Sequence, residues 1–207
     1  MPQATEVRTR IVNAAEECFA RYGVAKTTVE DIAASAGLSR ATVYRSFAGG
    51  RDEVILAVVL RDLRRFLDRL SGRLRHERSV PDAIVEGVVD AVAFVRGEPH
   101  VAALLAPDAA GHTQAAVVGG AERLLHLCSD YVRPYFGAAQ RAGTLRADIT
   151  VEGAVEFLFR IISSMIVMPR EDEPREFLRT YVVPALAERE QARAAKLKSS
   201  PLTSSPS

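Results

Sequence analysis

The chain has 207 residues, 48% hydrophobic and 26% charged, with a formal net charge of +1. That length allows one small domain and one of roughly 140 residues, while the near-neutral balance excludes a charge-driven coater of nucleic acid, whose affinity rests on phosphate neutralisation. Cys18 and Cys128, in separate predicted helices, form no disulfide framework; no stretch reaches the ~18 uninterrupted apolar residues of a membrane span, no secretory signal is visible, and the cytoplasm is the expected compartment.

The start, MPQATEVRTR, is either solvated or lends Arg8 or Arg10 to a DNA backbone or minor groove. An amphipathic helix follows, with Val7, Ile11, Ala14, Ala15, Cys18, Phe19 and Tyr22 on one face and Gly23 as its stop. Residues 28–51, TVEDIAASAGLSRATVYRSFAGGR, then predict two short helices joined by a tight turn. In the first, Val29, Ile32, Ala33 and Ala36 recur at i, i+3, i+4 and i+7. Glu30 and Asp31 lie in the first turn, where the helix dipole favours acids, and Thr28 sits at the N-cap. Small Ala33 permits close helix approach, Gly37 supplies a positive φ for the turn, and Ser39 caps the second helix. That helix buries Val43 and Phe47 and presents Arg40, Thr42, Tyr44 and Arg45, groups able to reach base edges or phosphate oxygens in a major groove.

Singly, each of these residues has an ordinary structural explanation: Ser39 and Thr28 as caps, Arg40 and Arg45 as a solvated face, Tyr44 as packing. Their combination, with three helices in about 50 residues, is that of a helix-turn-helix domain. The run IVNAAEECFARYGVAKTTVEDIAASAGLSRATVYRSF, positions 11–47, followed by GGRDEV opening a long helix, resembles the tetracycline-repressor (TetR) family of bacterial transcription regulators. The resemblance implies a DNA-binding quarter followed by an all-helical domain for effector binding and dimerisation, with Thr28, Ser39, Arg40, Thr42, Tyr44 and Arg45 at the DNA. One position departs. The family usually places a Lys three residues after the Phe matched by Phe47; here Gly50 stands there, and Arg51 is expected to supply the cation at the start of the fourth helix.

Residues 1–50 hold six cations (Arg8, Arg10, Arg21, Lys26, Arg40, Arg45) against five acids. A specific reader with few phosphate contacts per subunit, made adequate by dimerisation, fits this balance. The expected boundaries are a DNA-binding domain over 1–50, a helical effector and dimerisation domain over 51–190, and a disordered tail over 191–207, where the composition turns to Ala, Lys, Ser and Pro.

The pattern beyond residue 51 stays helical, so the expected fold is all-α. A helix over 52–74 carries Leu63, Phe66 and Leu67 inside and an Arg-rich outer face interleaved with Asp62 and Asp68, a solvated surface more than a second DNA site. Pro81 and Asp82 open a helix to about Arg96, one short helix is expected within 97–111, another helix runs over 113–131, and Pro134 introduces a shorter one ending before Gly143. Val151–Met168 is apolar around much of its circumference, and Pro174–Arg189 forms an amphipathic partner. The family resemblance implies a four-helix dimer interface from these two helices and their symmetry mates, and the candidates are Phe157, Ile161, Phe177 and Tyr181.

The bundle's candidate ligand lining is Leu63, Phe66, Phe94, Leu104, Leu125, Cys128, Phe159 and Met165, with His100, His126, Tyr131 or Arg160 as polar handles; for each, simple core packing is the competing account. The four histidines, His76, His100, His112 and His126, show no metal-ligand spacing, and GxGxxG, P-loop and GxSxG motifs are absent. No cofactor or catalysis is expected. The expectation is a dimeric repressor of operator DNA released by a small, mostly apolar effector, uncharged or weakly acidic. An activator, an effector-independent regulator, or a helical interaction module whose helix-turn-helix only packs are the alternatives.

Overall fold

The computed structural model describes residues 2–74, 77, 79–98, 101, 112–169 and 174–188. In chain order the helices are α1 (Pro2–Tyr22), α2 (Val29–Ser35), α3 (Arg40–Ser46), α4 (Gly50–Leu74), α5 (Val80–Gly97), α6 (His112–Arg141), α7 (Val151–Val167), α8 (Pro174–Phe177), a π-turn π1 (Leu178–Val182) and α9 (Val183–Leu186). Among these residues the fold is all-α, as expected, and the sole ladder-type pairing is an isolated antiparallel bridge between Leu145 and Ala187.

Local chemistry sets the helix starts. Thr28, Ser39, Ser79 and Thr150 each hold extended backbone and accept from an amide of the first turn of α2, α3, α5 and α7, satisfying donors that no intrahelical carbonyl can reach. Gly37 takes φ +62° between α2 and α3, the left-handed conformation that the sharp turn requires.

The N-terminal core gathers Ile11, Ala15 and Phe19 of α1, Val29, Ile32 and Ala33 of α2, and Val43 and Phe47 around α3. Val54, Ile55, Val58 and Val59 of α4 complete it. The first turns of α4 thus belong to the DNA-side core, although the expected domain boundary fell just before them. Tyr22 departs from its predicted apolar face: it is exposed, with the Arg21 guanidinium 5.9 Å from its ring centroid.

Two further cores hold the bundle together. Val85, Val88 and Val92 of α5 pack against Leu178 and Val182, while Phe136 of α6 packs with Val151, Ala154 and Val155 of α7. The helix break expected at Pro134 does not occur, and α6 runs through it. An interior Pro forfeits a backbone bond and costs about 3 kcal/mol, but its ring lies on the exposed face while Val132 and Phe136 on either side pack inward. Near the end of the chain, Pro184 has no amide to donate to Thr180. The backbone widens there instead, with the Val183 amide bonding the Leu178 carbonyl. The short helix expected within 97–111 and the tail over 191–207 lie outside the described residues, apart from Gly97, Glu98 and Val101.

Candidate nucleic-acid interface and effector cavity

The exposed side of α3 is prearranged by hydrogen bonds between its own residues. Ser39 Oγ lies 2.9 Å from Thr42 Oγ1, and Arg45 Nη2 donates to the same oxygen at 3.1 Å. Arg40 Nε pairs with Glu30 Oε1 at 2.8 Å, which ties α3 to α2, and Tyr44 is 45% exposed. Ser39, Arg40, Thr42, Tyr44 and Arg45 therefore share one surface, opposite the buried Val43 and Phe47. Thr28 serves a capping box: its hydroxyl donates to Asp31 Oδ2 at 2.6 Å and accepts from the Asp31 amide at 3.2 Å. The bonds that the Asp31 carboxylate accepts from the Thr28 hydroxyl and from the Thr28 amide, the latter at 2.9 Å, hold it below its ordinary pKa.

Arg51 is placed differently from its expectation. Its Nε donates to the Thr27 carbonyl at 2.7 Å and Nη2 to the Val24 carbonyl at 2.5 Å, and its side chain is only 21% exposed. The guanidinium fastens the loop between α1 and α2 to the start of α4 and does not project as a phosphate-seeking cation. At the neighbouring position, Gly50 takes φ +61°, and a Cβ built there would stand 2.9 Å from the Tyr44 ring. The departure from the family pattern thus leaves room for Tyr44 to lie against the backbone.

Between α4, α5, α6 and α7 lies a cavity of about 710 Å³. Leu63, Phe66, Phe94, Leu125, Cys128, Tyr131 and Phe159 line it as expected, and the Phe66 and Phe94 rings stack with centroids 4.5 Å apart. Three expected lining residues do not. Arg160 is on the outer face of α7, paired with Glu156 Oε1 at 2.5 Å; His126 is exposed beside Asp130; and Met165 packs against the α5–π1 core. Each sits on a helical turn facing away from the opening, which one-dimensional spacing did not resolve. His100 and Leu104 lie outside the described residues.

Space for the cavity comes from small side chains. Ala83, Gly87 and Ala91 recur at i, i+4 and i+8 on α5 and line the cavity with Ala138 and Ala139 of α6 and Ala142 just past its end, and this small-residue stripe is the signal that sequence reading passed over. It also passed over the polar wall groups Tyr135, Thr144 and Ser163. Tyr131 donates its hydroxyl to Asp68 Oδ1 at 2.6 Å, which raises its pKa. Burial pushes the Cys128 thiol up to about 11, so it stays protonated and unreactive at neutral pH.

The dimer candidates fall into two groups. Phe157 and Ile161 are half-buried against the α5–π1 core, whereas Phe177 and Tyr181 are 46% and 68% exposed, their rings 5.3 Å apart. Val167 and Met168, at the end of α7, are exposed too. Those residues contain no group of three or more His, Cys, Asp or Glu side chains able to hold a metal, and no helix long and apolar enough to cross a membrane.

Residues 11–58 match the family described as "Bacterial regulatory proteins, tetR family". Over 182 residues the chain is 26% identical to the uncharacterised HTH-type transcriptional regulator Rv1255c of Mycobacterium tuberculosis, spanning 84% of this chain and 83% of that protein. It is 40% identical over 57 residues to the HTH-type transcriptional regulator TtgR of Pseudomonas putida, covering 28% of this chain and 27% of TtgR. The crystal structure of RolR in complex with resorcinol has the same fold at a TM-score of 0.71 and 14% identity, over 98% of both chains. Residues 11–58 thus match a tetR-type DNA-binding domain, and with the similarity to a regulator along most of the chain they support a DNA-binding transcriptional regulator resembling that family.

Proposed function

We propose that the protein is a dimeric repressor, acting in the cytoplasm, whose operator complex is released when a small, uncharged, largely apolar molecule enters the cavity. One observation carries this reading: Ile55 and Val59 of α4 belong to the N-terminal core and also line the cavity. A ligand pressing on that stretch of α4 acts on the helix that holds the DNA-binding core. If it binds one arrangement of α4 better than another, it shifts the population toward that arrangement. Half-sites repeat at about 34–36 Å or its multiples, so a shift of a few ångströms between the two α3 helices prevents both from docking.

The wall chemistry supports an uncharged ligand. Among the described lining residues Glu77 carries the only formal charge, so a carboxylate would be buried there without a cation. RolR, of the same fold, is solved in complex with resorcinol.

Titration of the full-length protein with 2-naphthol and with naphthalene-2-carboxylate, on a duplex selected by the protein from a random pool, tests the reading. The naphthol is expected to lower duplex affinity at least about fivefold, the low end of ordinary coupling, and the carboxylate to leave it unchanged. Ala91→Leu, which fills the cavity from α5, should abolish the response while retaining duplex binding. Bound naphthol with unaltered duplex affinity would sink the coupling, since linkage is reciprocal; tighter binding of the carboxylate would sink only the charge assignment.

On DNA, the proposed contacts are Ser39, Arg40, Thr42, Tyr44 and Arg45, with Thr28 at the start of α2. Arg45→Ala is expected to weaken binding to the selected duplex by about 1–3 kcal/mol, and Tyr44→Phe to weaken it less, with dimerisation by sedimentation unchanged in both. Full affinity in both variants would show that another face meets the DNA. The dimer is proposed to form through Phe157, Ile161, Phe177 and Tyr181, and Tyr181→Glu should shift sedimentation toward monomer.

A further inference from the structure

Two arginines near the start of α1 reach past their own helix to the ends of the two that follow. Arg10 Nη2 donates to the Ala36 carbonyl at 2.7 Å, at the C-cap of α2. Arg8 Nη1 donates to the Ser46 carbonyl in the last turn of α3, and its guanidinium carbon lies 3.9 Å from the Phe47 ring centroid. Arg8 Nη2 also approaches Glu53 Oε1 of α4 at 3.6 Å. Carbonyls at a helix C-terminus lack intrahelical donors and carry the negative end of the helix dipole, so a guanidinium satisfies both the hydrogen bond and the charge. The planar fork adds stacking on the ring, which an ammonium does not reproduce.

We infer that Arg8 and Arg10 are positioning residues that hold the helix-turn-helix by its two helix C-termini, with Arg8 setting the pose of α3, and that neither acts as a phosphate contact. Arg8 touches α3 and α4 together, so it joins the recognition helix to the helix that borders the cavity. Its three partners, the Ser46 carbonyl, the Phe47 ring and the Glu53 carboxylate, lie on both sides of the turn between those helices. Two of the six cations in residues 1–50, Arg8 and Arg10, are thereby committed to carbonyls of other helices. The protein accordingly neutralises few phosphates, and its specific binding depends on how accurately α3 is held.

Salt dependence separates positioning from phosphate contact, because each neutralised phosphate adds about 0.9 to the slope of log affinity against log salt. Full-length wild type, Arg8→Met and Arg8→Lys are compared on a duplex selected from a random pool by the wild type, and on an unrelated duplex, at several salt concentrations. Both variants are expected to lose roughly tenfold or more on the selected duplex, about the loss of one bidentate base contact. Their salt slopes should stay parallel to that of the wild type, and binding to the unrelated duplex should be unaltered. Wild-type affinity in Arg8→Lys, with a slope shallower by about 1.8 per dimer in Arg8→Met, would instead make Arg8 a phosphate contact and overturn the inference, as would wild-type affinity in both. A general loss of folding lowers binding to both duplexes and overturns it too. Should Arg8→Met alone fail to fold, Arg8→Lys decides, since it keeps the charge and the apolar stem and removes only the fork.

Discussion

Phe47→Ala is expected to lose about 3–5 kcal/mol of stability, the usual cost of emptying a buried Phe site, and with it affinity for the selected duplex. The side chain is fully buried at the C-cap of α3, in one core with Ile11, Ile32, Val43 and Val54. It therefore joins a core drawn from all four helices of the DNA-binding half, and local collapse cannot replace it. Its outer face supports the Arg8 guanidinium, so truncation also frees that group from the end of α3. Whole domains are stable by only about 5–15 kcal/mol, so this one substitution removes a large share of that stability. Urea unfolding followed by circular dichroism, with duplex binding measured in parallel, checks it. A midpoint within error of the wild type would mean that Phe47 is not the keystone of that core.

The second large effect is expected from restoring at position 50 the Lys usual in the family. Gly50→Lys places a side chain on a backbone at φ +61°, which costs an L-residue roughly 1–2 kcal/mol, and its Cβ starts 2.9 Å from the Tyr44 ring. Overpacking of that kind typically adds about 1–3 kcal/mol. Tyr44 is partly exposed and can relieve the contact by swinging outward, in which case the cost moves from stability to duplex affinity, because the displaced ring belongs to the proposed recognition face. Gly50→Ala carries the same backbone strain and the same Cβ without the ammonium. Both variants should therefore lose stability, affinity or both, and the Lys variant should not bind better than the Ala variant. Wild-type behaviour in Gly50→Ala would show that the close approach has no consequence.

The helix-turn-helix was legible in the sequence down to individual atoms of its caps. The i, i+3, i+4 spacing of Val29, Ile32 and Ala33, the N-cap positions of Thr28 and Ser39 and the positive φ of Gly37 are all found where the sequence predicts them. These features are local: periodicity, capping and turn conformation each involve residues within four positions of one another. Break and continuation at proline were less legible. Pro134 and Pro184 both remove a donor, yet α6 continues through the first and the last helical segment widens into a π-turn at the second, because inward packing on either side outweighs the lost bond.

Arginine roles were not legible in one dimension. Arg8, Arg10 and Arg51 look like any cation able to meet a phosphate, and the structure turns each toward a carbonyl at least 24 positions away along the chain. Likewise, period alone placed Phe66 and Phe94 in one apolar interior, but not their stacking, nor the void beside them left by Ala83, Gly87 and Ala91. Residue order alone settles the helices, the caps of α2 and α3, most of the buried faces and the kinship of the first quarter of the chain. Packing in three dimensions settles which cations are committed to helix ends, which turns of α7 face the cavity, and that Ile55 and Val59 border both core and cavity. One cause underlies all three: they depend on which distant surfaces meet, and a hydrophobic pattern specifies that a face is buried without specifying against what.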